Sequence, residues 1–178
     1  MKLLRSLIAA TLAAASLTAQ AADTNTAVTD TGWYAFFHGD VGSAWLNDYA
    51  FNDPGMQSFS FSLSGPATLR VAEGGLAGDA FKVFDNGVLL GSTSSPTGGA
   101  TDDAGVDFDA AMSGSKWSHG EWLLGAGQHV ITGLASASPY AAGTGALQVV
   151  AVPEPVNYAL FLAGLGLIGF VANRRSGR

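Results

Sequence analysis

Polar and apolar residues alternate along much of the middle of this chain. In "QSFSFSLSG", Phe59, Phe61 and Leu63 point one way and Ser58, Ser60 and Ser62 the other, which is the period-two signature of a half-buried strand. "ATLRVAE" follows across Gly65-Pro66, a turn pair, and reads as a second strand. In "AFKVFDNGVLLGSTS" two β-rich runs flank Asn86-Gly87, whose residues both accept positive φ, so a tight hairpin is expected. "SHGEWLLGAGQHVITGLAS" reads as another hairpin, turning at Gly125-Ala126-Gly127. "GWYAFFHG" supplies a first strand and "GTGALQVVAV" a last one. "DFDAAMSGS" is the one candidate helix, and it is short. Regularly spaced strands with glycine turns predict an all-β body, a β-sandwich or jelly-roll-like fold, over residues 33–151. Residues 22–32 are polar and read as a flexible lead-in.

The two ends break this pattern. "MKLLRSLIAATLAAASLTAQAAD" has a basic start at Lys2 and Arg5, an apolar stretch, and the small-x-small site Ala19-Gln20-Ala21. Residues 1–21 therefore read as a secretory signal peptide with its own helix, and the mature chain is expected to begin at Ala22. The other end, residues 152–178, opens with Pro153-Glu154-Pro155 and continues into a run of 17 residues without charge. As a helix that run reaches ~25 Å, just short of a bilayer core of ~30 Å. Arg174, Arg175 and Arg178 follow and mark the cytoplasmic side of a transmembrane helix. Gly164-Leu165-Gly166-Leu167-Ile168-Gly169 spells G-x-G-x-x-G but lacks the strand, helix and acid of a dinucleotide site, so its glycines read as helix-packing residues.

Proline-glutamate-proline, an apolar run and a basic cluster, in that order, closely resemble the PEP-CTERM sorting signal. The matching residues are Pro153, Glu154 and Pro155, the run "LFLAGLGLIGF", and Arg174 and Arg175. Tails of this kind also carry the name of an ice-binding protein C-terminal domain. The resemblance implies processing by exosortase, a membrane cysteine protease of Gram-negative bacteria that make exopolysaccharide and biofilm. It also implies a membrane-anchored precursor that ends at the cell surface or in the extracellular matrix. In outline, "GDAFKVFDNGVLLGSTS" with "KWSHGEWLLGAGQHVITG" resembles a recurrent passenger domain of PEP-CTERM proteins, which supports the sandwich and adds no chemistry. Such passengers often carry Asp before the Gly-Asp loop, where this chain has Glu73.

Charge narrows the partners. Of 14 acidic residues, 13 lie between residues 22 and 151, against Arg70, Lys82 and Lys116, so the body carries about −10. Such a body does not bind nucleic acid by charge and attracts divalent cations. There is no cysteine, which excludes disulfides and thiolate chemistry. Asp102, Asp103, Asp107 and Asp109 in "TDDAGVDFDA" are candidate calcium ligands, although the EF-hand spacing is absent; a solvated loop accounts for them as well. His119 and Glu121 share a strand face, and His129 across the expected hairpin would bring a third ligand for zinc; surface histidines, His38 among them, are the alternative. Asp79 and Asp85 are expected to fix turns through side-chain to backbone bonds. Trp122, inside a strand, reads as core. Trp45 and Trp117 lie in loops, where core packing and stacking on sugar rings both stay open. No catalytic motif is present, and no cofactor is expected for folding. The chain thus reads as an exported, exosortase-sorted, non-enzymatic component of the cell surface or exopolysaccharide matrix. A carbohydrate-binding module is the alternative, followed by a surface hydrolase.

Overall fold

The computed structural model describes residues 23–48, 55–152, 161–165 and 167–168. The signal peptide with Ala19 and Ala21, the motif Pro153-Glu154-Pro155, and Arg174 and Arg175 lie outside the described residues. Residues 161–165 and 167–168 are helical. Among the described residues no helix is long and apolar enough to cross a membrane.

In chain order the elements are β1 (Thr24–Ala27), β2 (Tyr34–His38), β3 (Gln57–Leu63), β4 (Ala67–Gly74), β5 (Ala80–Asp85), β6 (Val88–Ser92), α1 (Phe108–Ser113), β7 (His119–Leu124), β8 (Gly127–Ala137) and β9 (Gly143–Ala151). They form a five-stranded sheet, β1-β3-β8-β5-β6, and a four-stranded sheet, β2-β9-β4-β7. The all-β expectation holds, and the two sheets share one core. Phe59 and Phe61 of β3, Phe81 and Val83 of β5 and Ile131 of β8 meet Phe36, Leu69, Val71, Leu124 and Leu147 from the other sheet. Phe36 stands edge-on to Phe81 at 5.2 Å and to Phe59 at 6.5 Å, so aromatic contacts tie the layers together.

The alternation explains the single-sided strands. In β3, Gln57, Phe59 and Phe61 are buried while the serines face outward. In β4, by contrast, Val71, Ala72, Glu73 and Gly74 are all buried, because this stretch is covered on both faces. Its outer cover is α1: Phe108 and Ala111 pack on Ala72 and Ala146, with Trp33 and Trp117 at the margin. Asp107 caps α1 by accepting the Ala110 N–H at 3.0 Å.

Two expectations need correction. The segment 22–32 is not wholly a flexible lead-in, because β1 within it pairs in parallel with β3, Thr24 opposite Gln57. "SHGEWLLGAGQHVITGLAS" is two strands but no hairpin. β7 pairs with β4, whereas β8 lies between β3 and β5 in the other sheet. The Gly125-Ala126-Gly127 link carries the chain from one layer to the other, with Gly127 at φ +147°, a backbone state that side chains disfavour. Leu124 and Ile131 then face the same core from opposite sheets. Two strands joined by a glycine turn look alike in sequence whether they pair or arch.

Candidate functional site

Three strands of the four-stranded sheet end together. His38 closes β2, opposite Gly143 at the start of β9, and Gly74 closes β4, opposite Thr144. The loop from Gly75 to Asp79 leaves this corner for β5 in the other sheet. Together they bound a cleft of about 200 Å3, lined by Gly74, Gly75, Asp79, Asp103, Tyr140, Gly143 and Thr144.

Beneath the cleft lies a buried polar cluster. His38 is fully buried, and so, within 1%, are Glu73 and Asp79. His38 Nε2 meets Asp79 Oδ2 at 3.1 Å, and Nδ1 meets the Gly39 carbonyl at 3.0 Å. Both ring nitrogens thus face acceptors, and the ring donates to both only when each carries hydrogen. The pair sits on Gly143 because nothing larger fits: a Cβ there would lie 2.1 Å from Asp79 Oδ2 and 2.6 Å from His38 Nε2. Glu73 Oε1 accepts the Gly78 N–H at 3.0 Å. Glu73 Oε2 and Asp79 Oδ1 are buried without any hydrogen-bond partner. Burial pushes the Glu73 carboxyl up to about 8, the Gly78 N–H opposes the rise, and the Asp79 charge adds to it.

Asp79 and Asp85 do not serve as the expected turn-fixing residues. Each holds a histidine instead, Asp85 Oδ2 lying 2.8 Å from His129 Nδ1. His129 Nε2 faces the Gly125 carbonyl at 3.1 Å, so this ring is also spent on two acceptors. The zinc trio is not assembled: His129 belongs to one sheet with Asp85, while in the other His119 Nδ1 faces the Trp117 carbonyl and Glu121 pairs with Arg70 at 2.8 Å.

The four loop aspartates are likewise kept apart by separate local partners. Asp102 holds Lys116 at 2.5 Å, and that bond keeps its carboxyl below the usual carboxylate range. Asp103 accepts the Gly105 N–H, Asp107 caps α1, and Asp109 accepts the Trp33 indole N–H at 3.1 Å. Of the two readings of this loop, calcium ligands or a solvated loop, these separate local partners fit the second. Among the described residues no three His, Asp or Glu side chains gather as metal ligands.

The tryptophans do not form a platform. Trp45 is fully buried and stacks on Phe36, ring centroids 3.8 Å apart at 15°. Trp122 is half-buried against the core and lies over Gly91. Trp117 is half-buried beside α1 and donates to the Gly75 carbonyl at 3.2 Å. Glu73 and Asp79 are each noted in the sequence, but not their meeting with His38 in one buried cluster. Its signal is "EGGLAGD", a carboxylate closing one strand and a carboxylate preceding the next, with a glycine-rich loop between them.

The molecule is thus a two-sheet, mostly β domain with a cleft at one corner above a buried polar cluster. No protein-family model and no curated protein matches the chain. Among solved structures it is similar to one described as a family 35 carbohydrate binding module from an environmental isolate. The identity is 16% and the TM-score 0.36, over 78% of this chain and 94% of that one.

Proposed function

We propose that this chain is an exported component of the cell surface or extracellular matrix, delivered by exosortase sorting, whose β-sheet domain acts without catalysis. The observation that carries the reading is the sequence of motifs in the tail, Pro153-Glu154-Pro155, then an uncharged run, then Arg174-Arg175, together with an N-terminal export signal. The geometry of the body supports the non-catalytic part. The His38 and His129 rings have both nitrogens turned to acceptors, which leaves neither free to take a proton from a substrate. The test is to express the chain in cells with and without exosortase and to read both termini by mass spectrometry. The mature protein is expected to begin at Ala22 and, where exosortase is present, to have lost Arg174 and Arg175. A retained C-terminus in exosortase-positive cells refutes the sorting.

A second reading is a carbohydrate-binding domain, favoured by one feature of the cleft. Tyr140 offers a partly exposed ring beside the carboxylate of Asp103 at its rim, a pairing suited to the apolar face and hydroxyl edge of a sugar. Binding to exopolysaccharide that is lost in Tyr140→Ala supports it. Equal retention of wild type and Tyr140→Ala on every polysaccharide tested counts against it.

A further inference from the structure

We infer that Glu73 and Asp79, beneath the corner cleft, form a binding site for one calcium ion. Each carboxylate is buried, each has one oxygen held in place, and each has one oxygen with nothing to bond. Glu73 Oε1 is fixed by the Gly78 N–H and Asp79 Oδ2 by His38, while Glu73 Oε2 and Asp79 Oδ1 are unpartnered. Carboxylate oxygens buried without partners are costly, and a cation bound between these two would satisfy both.

The protein supplies too little positive charge there. Lys116 is engaged with Asp102 and Arg70 with Glu121, Lys82 is exposed on β5, and no lysine or arginine is paired with either carboxylate among the described residues; the one side chain hydrogen-bonded to them is His38.

The chemistry of the corner selects the ion. The donors are hard oxygens, as calcium and magnesium prefer, and the imidazole of His38 is already turned to Asp79. Two carboxylates are too few for a site built wholly of side chains, and among the described residues no third His, Asp or Glu ligand joins them. Calcium completes its shell with backbone carbonyls and water, and the cleft of about 200 Å3, which Asp79 lines, has room for water beside the pair. The two free oxygens are closed to solvent, so an ion reaching them sheds its water; magnesium does this reluctantly and calcium readily. Asp103, exposed on the cleft wall, draws cations to the opening.

The test uses the full-length protein, stripped with chelator and titrated with calcium at neutral pH. One calcium per chain is expected by calorimetry, with a rise in Tm of roughly 5 °C or more at saturation. Glu73→Gln and Asp79→Asn each abolish the rise, whereas Asp102→Asn in the acidic loop keeps it. Terbium luminescence, measured on the same variants, reads binding directly if a substitution weakens folding. No calcium-dependent shift in the wild type, a shift that survives both substitutions, or an equal response to magnesium overturns the assignment.

Discussion

Trp45→Ala is the substitution that best separates a core tryptophan from a sugar-stacking one. Trp45 is fully buried, lies flat on Phe36, and meets Phe59 and Phe81 edge-on, each at 6.2 Å. A buried tryptophan withdraws about 150–250 Å2 from water, worth ~4–6 kcal/mol at about 25 cal/mol per Å2. The stacked pair adds about 1 kcal/mol. One effect opposes these: the indole Nε1 has no hydrogen-bond partner, and removing a buried orphan donor returns about 1–3 kcal/mol. The net loss is then about 3–5 kcal/mol, in line with other large-to-small core substitutions. For a domain of this size it lowers Tm by roughly 10–20 °C. Trp45→Phe keeps a ring on Phe36 and deletes the orphan N–H, so it is expected within about 1.5 kcal/mol of wild type. Urea unfolding followed by circular dichroism measures both variants. A loss below about 1 kcal/mol for Trp45→Ala, or equal damage from both substitutions, would refute the buried stack and return Trp45 to the surface.

The Glu73 carboxyl gives the folded protein a sign-definite pH dependence in the metal-free state. Its folded value of about 8 lies above the ordinary 4.5, so its stabilising share is complete below pH 4.5 and is lost as pH rises to about 8. Relative to wild type, Glu73→Gln should gain up to about 1.4 kcal/mol per pH unit across that window; parallel stability curves in chelator would exclude a neutral buried acid. Gly143→Ala drives a methyl into the His38–Asp79 contact and is expected to cost about 1–3 kcal/mol or more, read as a lower urea midpoint. Glu121→Gln breaks the half-exposed ion pair with Arg70 and should change stability by less than about 1 kcal/mol at moderate salt.

Strand identity was legible in the sequence, and layer assignment was not. Alternation at Phe59, Phe61 and Leu63 places residues on a face, and Asn86-Gly87 shows its hairpin through positive φ values of 49° and 80°. Both are local properties of a few neighbouring residues. Gly125-Ala126-Gly127 depends on which strand lies beside β4, and that is decided by packing far along the chain. Trp45 looks like a loop tryptophan until Gly133 of β8 leaves room for its ring: a Cβ there would lie 2.2 Å from the indole. His38 and Asp79, 41 residues apart, share no local pattern. The acidic loop is the converse case: its carboxylates are close in sequence, yet each is engaged by its own local partner.

The order β2-β9-β4-β7 has a consequence for how this chain reaches its native state. Of all the neighbouring strand pairs in the two sheets, β5 and β6 alone are consecutive in the chain. β2 pairs with β9, Tyr34 against Leu147, so its partner is the last strand made. Loop-closure entropy must be met before such distant pairings return anything, which places folding in the slow, millisecond-to-second regime. A chain emerging N-terminus first, from a ribosome or an export channel, therefore holds β2 and one edge of β4 open until β9 is free. During that interval these open edges are the part of the molecule most exposed to aggregation and proteolysis.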